Sequence, residues 1–410
     1  MSLQVDSALL RDFDLRRLPP DFYADPFPYY AALRAVDPVK RMPDGSILLT
    51  RYRDIEYVYK NPKLFSSDKR IEFRQKFGDS PLFEHHTTSL VFNDPPLHSR
   101  VRRLVAGPLT PKAIATIEPE LTALVDRLLD RLESKGGGDL IEDFAAAIPI
   151  EVIGNLLGVP HAERGPLREW SLSILGALEP NISAAAAARG SAAVDEFSAY
   201  LTTLIAVRRT RRRDPCQDLL TRLIEGEEGG EQLSAQELIQ NCIFLLNAGH
   251  ETTTNLIGNG LWLLATHRGE LARLIAAPSL IKTAVEEFLR FESSNQLGNR
   301  ITTQPVEIGG VSLAAQAPVT LCIGAANRDP EQFSEAGTLD ISRMPNRHLA
   351  FGSGIHQCAG TGVARLEGAI AIGRFVQRFP DYRLNGEPVR GGRARFRGFL
   401  HIPAMVTAAT

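Results

Sequence analysis

Cysteine is scarce in this sequence of 410 residues, and the four present, at 216, 242, 322 and 358, stand far apart. No C-x-x-C pair occurs, so neither a disulfide framework nor a cysteine-rich iron–sulfur segment can be built from them. Such usage suits a reducing compartment. Long apolar runs are missing too. No segment reaches the roughly 18 uninterrupted apolar residues of a membrane span. The first residues, MSLQVDSALLRDFDLRRLPP, carry acids and arginines where a signal peptide needs an apolar core. A cytoplasmic protein with no membrane partner is expected. An excess of one charge is also lacking. The net charge is −2, which argues against nucleic acid as a ligand.

Strand signals are few. SILLTR (46–51), VEIGGVSL (306–313) and PVTLCIG (318–324) read as short strands or hairpin arms. Most of residues 100–290 reads as amphipathic helix, as in IEPELTALVDRLLDRLES (117–134), which runs out at Gly136–Gly138. AAAAA (184–188) sits between helical stretches, and the basic run RRTRRRD (208–214) reads as a solvated face at a helix end. No linker divides the chain. The expected fold is mainly α with small β-sheets, one domain over 1–410.

Ser234 and Glu237 form a capping box that opens an apolar pattern running to about Thr266. That is a helix of about 48 Å at about 1.5 Å per residue, long enough to cross the interior. Its middle, NAGHETTTN (247–255), crowds polar groups beside Gly249. Threonines can bond back to the preceding turn and kink or widen the helix. A solvent-facing polar turn is the other reading. His250-Glu251 begins an H-E-x-x-H pattern, but position 254 is threonine, so the zinc-protease reading fails.

FGSGIHQCAG (351–360) holds Cys358 among glycines and just before a helical pattern. A sulfur there is a nucleophile or a metal ligand, favoured as thiolate by the helix dipole. No further zinc ligands stand nearby. Haem iron needs one protein ligand, and a flat macrocycle needs walls thinned by glycine, so cysteinate ligation of haem fits each part.

These residues carry a resemblance. FGSGIHQCAG is similar to the F-G-x-G-x-H-x-C-x-G signature of soluble bacterial cytochromes P450 at its six fixed positions. AGHETT (248–253) resembles that family's oxygen-activation motif, and EFLR (287–290) its E-x-x-R. DPFPYYAALRA, NDPPLHSRVRRLV, NRDPEQF and NRHLAFG resemble further family segments, in family order. The expected fold is therefore that of a cytochrome P450, with haem between the long helix and the cysteine loop.

By position, the resemblance implies Cys358 as iron ligand of haem b (iron protoporphyrin IX), and Glu251 with Thr252 as the acid–alcohol pair that relays protons. Phe351 and Gly360 would flank the sulfur. Ala248 and Gly249 would leave room for dioxygen. His98, Arg102, Arg300 and His356 would partner the haem propionates. Glu287 and Arg290 would be a structural ion pair. The implied activity is a monooxygenase using dioxygen, with NAD(P)H supplying electrons through a separate ferredoxin and its reductase. Arg100, Arg103 and Arg365 are either docking residues for that ferredoxin or solvated charges. The alternatives are a peroxygenase that uses hydrogen peroxide and a non-catalytic haem ligand-binding protein. A monomer is expected.

The implied pocket walls include Val91, Phe244, Asn247, Asn295 and Phe399. Relatives commonly carry apolar residues at the positions of Asn247 and Asn295, and proline at that of Ser294. A buried asparagine needs a partner. Either the small-molecule substrate carries an oxygen function, or backbone or water serves. Gly362 also departs from the family's usual helix formers, at about 1 kcal/mol; contact with haem or a partner would account for it.

Overall fold

The computed structural model describes residues 10–106, 109–215, 218–228 and 233–407. Cys216 and the first nine residues lie outside these ranges. The helices that place the site are α1 (Tyr52–Lys60), α2 (Leu97–Ala106), α3 (Pro111–Lys135), α4 (Ala147–Leu157), α5 (Ala184–Thr210), α6 (Ala235–Thr266), α7 (Ile281–Phe291) and α8 (Thr361–Arg378). The largest sheet joins β1 (Val39–Arg41), β2 (Ile47–Leu49), β3 (Phe65–Ser66), β4 (Leu297–Thr302) and β5 (Pro318–Cys322) in the order β1-β2-β5-β4-β3. Only the β2–β5 pairing is parallel, with Leu48 opposite Thr320. Val306–Ile308 and Val311–Leu313 form a hairpin, as their sequence predicts. Among the described residues, no helix is long and apolar enough to cross a membrane.

Local chemistry explains the helix ends. Ser234 accepts from the Glu237 amide at 3.1 Å, and Glu237 accepts from the Ser234 amide at 2.7 Å, closing the capping box. The alanine tract is not a connection between helices. Ser183 caps it, accepting from the Ala186 amide at 3.1 Å, and the tract forms the first turns of α5, as the strongest helix former should. The basic run at the far end of α5 also differs from a uniformly solvated face. Arg208 is buried, paired with Asp218, and donates to the Gly158 carbonyl at 3.0 Å; Arg211 and Arg213 are exposed. An arginine whose charge is matched can leave water.

Helix α6 is buried over most of its length and stays α-helical from end to end. The expected threonine back-bonds form at its polar centre, whereas the widened turn and the solvent-facing turn do not. Thr252 and Thr254 donate to the carbonyls of Ala248 (2.7 Å) and His250 (3.1 Å) without widening the helix, and Glu251, Thr253 and Thr254 are buried rather than solvent-facing. Gly362, near the start of α8, does not line the cavity. A Cβ there would lie 2.6 Å from Ile114 of α3, so the glycine lets two helices close on each other.

Glu287 and Arg290 are fully buried on α7 and 2.7 Å apart. Arg290 also donates to the carbonyls of Asn327 (2.9 Å), Ala336 (2.8 Å) and Thr338 (3.1 Å). Glu287 accepts from the Asp340 amide (3.0 Å), Arg343 (3.2 Å) and Asn346 (3.0 Å). The pair thus ties the irregular segment 327–346 to α7. Arg290→Leu leaves Glu287 only its longer pair with Arg343 and frees three carbonyls, and chemical denaturation should register a loss of roughly 3–5 kcal/mol. A loss under 1 kcal/mol on the scale of exposed pairs would mean the network is held by other contacts.

Candidate active site

The loop before α8 folds back on itself. Cys358 donates its amide to the Phe351 carbonyl at 2.9 Å, and Gln357 donates to Gly354 at 3.1 Å. Gly354 has φ +70°, and a Cβ there would strike the carbonyl of Tyr59 on α1, so only glycine fits. The thiol of Cys358 faces a cavity of about 350 Å³. Burial pushes that thiol up, while the Gly360 amide, the Thr361 hydroxyl, Arg102 and Arg365 oppose the shift. Donors and cations therefore already converge where a thiolate would carry its charge.

Across the cavity runs one face of α6: Phe244, Ala248, Gly249, Thr252, Thr253 and Leu256. Phe351, Gly352 and Gly360 line the sulfur side. A third wall gathers His98 and Arg102 from α2, Arg300 from β4, and His356. The two histidine rings lie 4.1 Å apart. His356 meets Ser67 at 3.0 Å, whereas neither ring nitrogen of buried His98 has a protein partner. Burial, followed by Arg102, holds the His98 pKa below its usual value. Burial, followed by Arg300, His98 and Arg102, pushes His356 down to about 2. This wall is short of negative charge, and paired carboxylates would supply it.

Glu251 faces elsewhere. It borders a second, smaller cavity with His250, Asn255 and Arg393, and Arg393 holds one of its oxygens at 2.5 Å. The other oxygen has no protein partner. Burial raises its carboxyl to about 7, against the pull of Arg393. Thr252 and Glu251 are neighbours in sequence, yet they open onto different spaces.

Val91 and Asn295 line the main cavity; two other expected wall residues do not. Asn247 is buried on another side of α6, and neither atom of its amide has a protein partner. At about 100° per residue, one position turns a side chain off the lining face. Phe399 packs against Trp262, ring centres 5.3 Å apart, beneath the Arg390 guanidinium at 3.8 Å. Phe396 lines the cavity instead, its backbone bridged to Asn295. Of the arginines offered for docking, Arg100 pairs with Glu237 (2.5 Å) and Arg365 with Glu286 (2.6 Å), while Arg103 is exposed.

Tyr59, Glu367, Arg393 and Arg395 escaped the sequence reading. Glu367 could have been found from helical period, since it shares the cavity-facing side of α8 with Val363 and Ala364. Nothing local marks Arg393 or Tyr59. Arg395 carried a signal, a charge alternating with apolar residues in RARFR.

One cavity-facing cysteine, glycine-thinned walls, a long helix opposite and a cationic side wall make a pocket that a thiolate-ligated porphyrin would fit. A family profile for cytochrome P450 matches residues 182–381. Vitamin D(3) 25-hydroxylase of Pseudonocardia autotrophica is 40% identical over 88% of this chain and 88% of its own. 6-Deoxyerythronolide B hydroxylase of Saccharopolyspora erythraea is 35% identical over 93% and 96%. The crystal structure of P450BioI with hexadec-9Z-enoic acid ligated acyl carrier protein superposes with a TM-score of 0.89 at 33% identity, covering 95% of this chain and 99% of that one. The chain belongs to the cytochrome P450 family, whose haem and use of dioxygen make it an oxidoreductase of the monooxygenase type.

Gly354→Ala must move either Tyr59 or the cysteine loop. The fraction of purified protein carrying haem should fall several-fold, measured as porphyrin absorbance per chain, and an unchanged ratio would show that the loop has slack.

Proposed function

We propose that this enzyme inserts one oxygen atom into a C–H bond of a small-to-medium, largely apolar organic molecule, taking electrons from NAD(P)H through a separate ferredoxin and reductase. The observation that carries the proposal is the placement of Cys358 and Thr252 on opposite walls of one cavity, with Glu251 opening behind the helix onto another. A haem held by Cys358 supplies the centre at which dioxygen is activated, one oxygen passing to substrate and the other leaving as water. Each turnover consumes two electrons and two protons.

Arg102 and Arg300 would hold the propionates by charge-assisted bonds, and His98 and His356 complete that wall. Phe351, lining the same wall, would limit water at the sulfur. Ala248 and Gly249 keep the helix thin opposite the cysteine. Thr252 lines the cavity and donates to the Ala248 carbonyl, so its oxygen remains available to accept from an ordered water. Glu251 takes protons from the smaller cavity, burial raising its carboxyl to about 7 against the opposing pull of Arg393. Val91, Phe244 and Phe396 supply apolar wall to the substrate. The relatives' names cover unlike molecules, so the cavity itself must define the substrate class.

Reconstitution with a ferredoxin, its reductase and NAD(P)H tests the proposal: a thiolate-type carbon monoxide spectrum and oxygenated product are expected, and turnover driven only by hydrogen peroxide would overturn it. Thr252→Ala should keep consuming NAD(P)H and oxygen while most of the flux appears as peroxide; undiminished product per NAD(P)H removes Thr252 from the relay. For Glu251, the raised carboxyl predicts product formation that declines as pH climbs through about 7, because the proton-carrying form is lost. Glu251→Gln should slow turnover by about 10²-fold and flatten that decline. A pH profile identical in both proteins assigns the proton to another group.

A further inference from the structure

We propose that the substrate carries a carboxylate, bound by Arg395 on the C-terminal wall of the cavity; this rests on the monooxygenase reading above. Arg395 lines the cavity next to Phe396. Its guanidinium is fixed by the carbonyls of Leu178 (3.1 Å) and Leu297 (2.8 Å) and by the side-chain oxygen of Asn299. All three acceptors are neutral. Arg395 makes no ion pair among the described residues, and its remaining N–H donors have no protein acceptor.

The nearby carboxylates are engaged elsewhere. Glu179 accepts from the backbone amides of Ala394 (2.8 Å), Arg395 (3.1 Å) and Phe396 (3.4 Å). Glu72 pairs with buried Lys69 at 2.7 Å. Lys76 donates to the Glu179 backbone carbonyl at 2.5 Å rather than to its carboxylate. Lys69, Lys76 and Arg395 thus stand against Glu72 and Glu179, which leaves one positive charge unmatched. His86, also in range of Arg395, is held neutral by burial.

The facing strand adds two more groups. The Arg397 amide donates to the Ser294 carbonyl at 2.8 Å, and the Gln296 amide donates to the Arg395 carbonyl at 2.7 Å. This places Ser294, Asn295 and Arg395 on one wall, all lining the cavity. The Ser294 hydroxyl and the Asn295 side-chain oxygen have no protein partner. A half-buried cation that no carboxylate touches, offset only by the more distant charges of Glu179 and Glu72 and set beside unpaired polar atoms, is costly in an apolar cavity unless an anion completes it. The apolar remainder of the cavity fits the hydrocarbon part of such an acid.

A carboxylate could also come from a haem propionate, although Arg102, Arg300, His98 and His356 already form a wall suited to both. Optical binding titrations of the haem-loaded enzyme at pH 7.5 distinguish the sources, using two matched pairs: dodecanoic acid with 1-dodecanol, and 4-cyclohexylbenzoic acid with its benzylic alcohol. At least one acid should bind about 10-fold or more tightly than its alcohol. Arg395→Gln should erase that preference, and Arg395→Lys should retain part of it. Equal affinity within both pairs, no binding of either acid by spectrum or equilibrium dialysis, or an acid preference that survives Arg395→Gln overturns the assignment. Faster haem loss to apomyoglobin in Arg395→Gln with the preference intact gives the anion to the porphyrin and also overturns it. Should the carbon monoxide spectrum lack thiolate character, the monooxygenase reading itself fails, separately from these titrations.

Discussion

The Glu287–Arg290 ion pair stands wholly out of water, and the position of the cysteine loop depends on it. Two charges can be buried only when their remaining donors and acceptors are used. Here the partners are backbone and side-chain groups between residues 327 and 346. The segment so fixed hands the constraint on. Asn327 accepts from the Leu349 amide at 2.7 Å, and Glu286, on the same helix, meets both His348 and Arg365 of α8. Residues 348–365, with Cys358 among them, are therefore held at both ends by α7.

That rigidity matters because the opposite wall is rigid too. Helix α6 crosses the interior without a break, capped at its start and packed along most of its length. Two fixed walls leave a space that side chains do not fill, where a protein interior would otherwise close-pack. Unpaired polar groups mark its edges: His98 toward the cationic wall, Ser294 and Asn295 toward the C-terminal wall, and Glu251 behind the helix. Each is an expense in folding that a bound group or ordered water offsets, as functional sites commonly require.

Much of this site was legible in the sequence, for reasons that differ by residue. Cys358, Gly354 and Gly360 fall within one short loop, where spacing in sequence nearly dictates spacing in space. The capping box at Ser234 and the i, i+3 pair Glu287–Arg290 are likewise local. Misreadings came where the answer depended on rotation or register. Asn247 belongs by sequence position to the pocket wall, yet it lies one helical step off the lining face. Phe399 was chosen from the C-terminal hairpin although the chain enters the cavity three residues earlier, at Phe396. The polar centre of α6 reads in sequence as a widened or solvent-facing turn, because a sequence does not reveal how completely neighbouring elements enclose a helix.

By itself, the sequence determined the mainly helical class, the lone cysteine poised before a helix, and the glycines that let its loop turn, since each follows from neighbours a few residues apart. Only the tertiary structure decided that Glu251 and Thr252 open onto separate spaces, that Gly362 serves a helix contact, and that Arg395 enters the cavity with no carboxylate in contact among the described residues. Those outcomes rest on which distant segments meet: α3 on α8, residues 172–179 and 391–398 against α6 and β4. Burial and charge balance are sums over all the groups that surround a side chain, and most of those groups are remote in the chain.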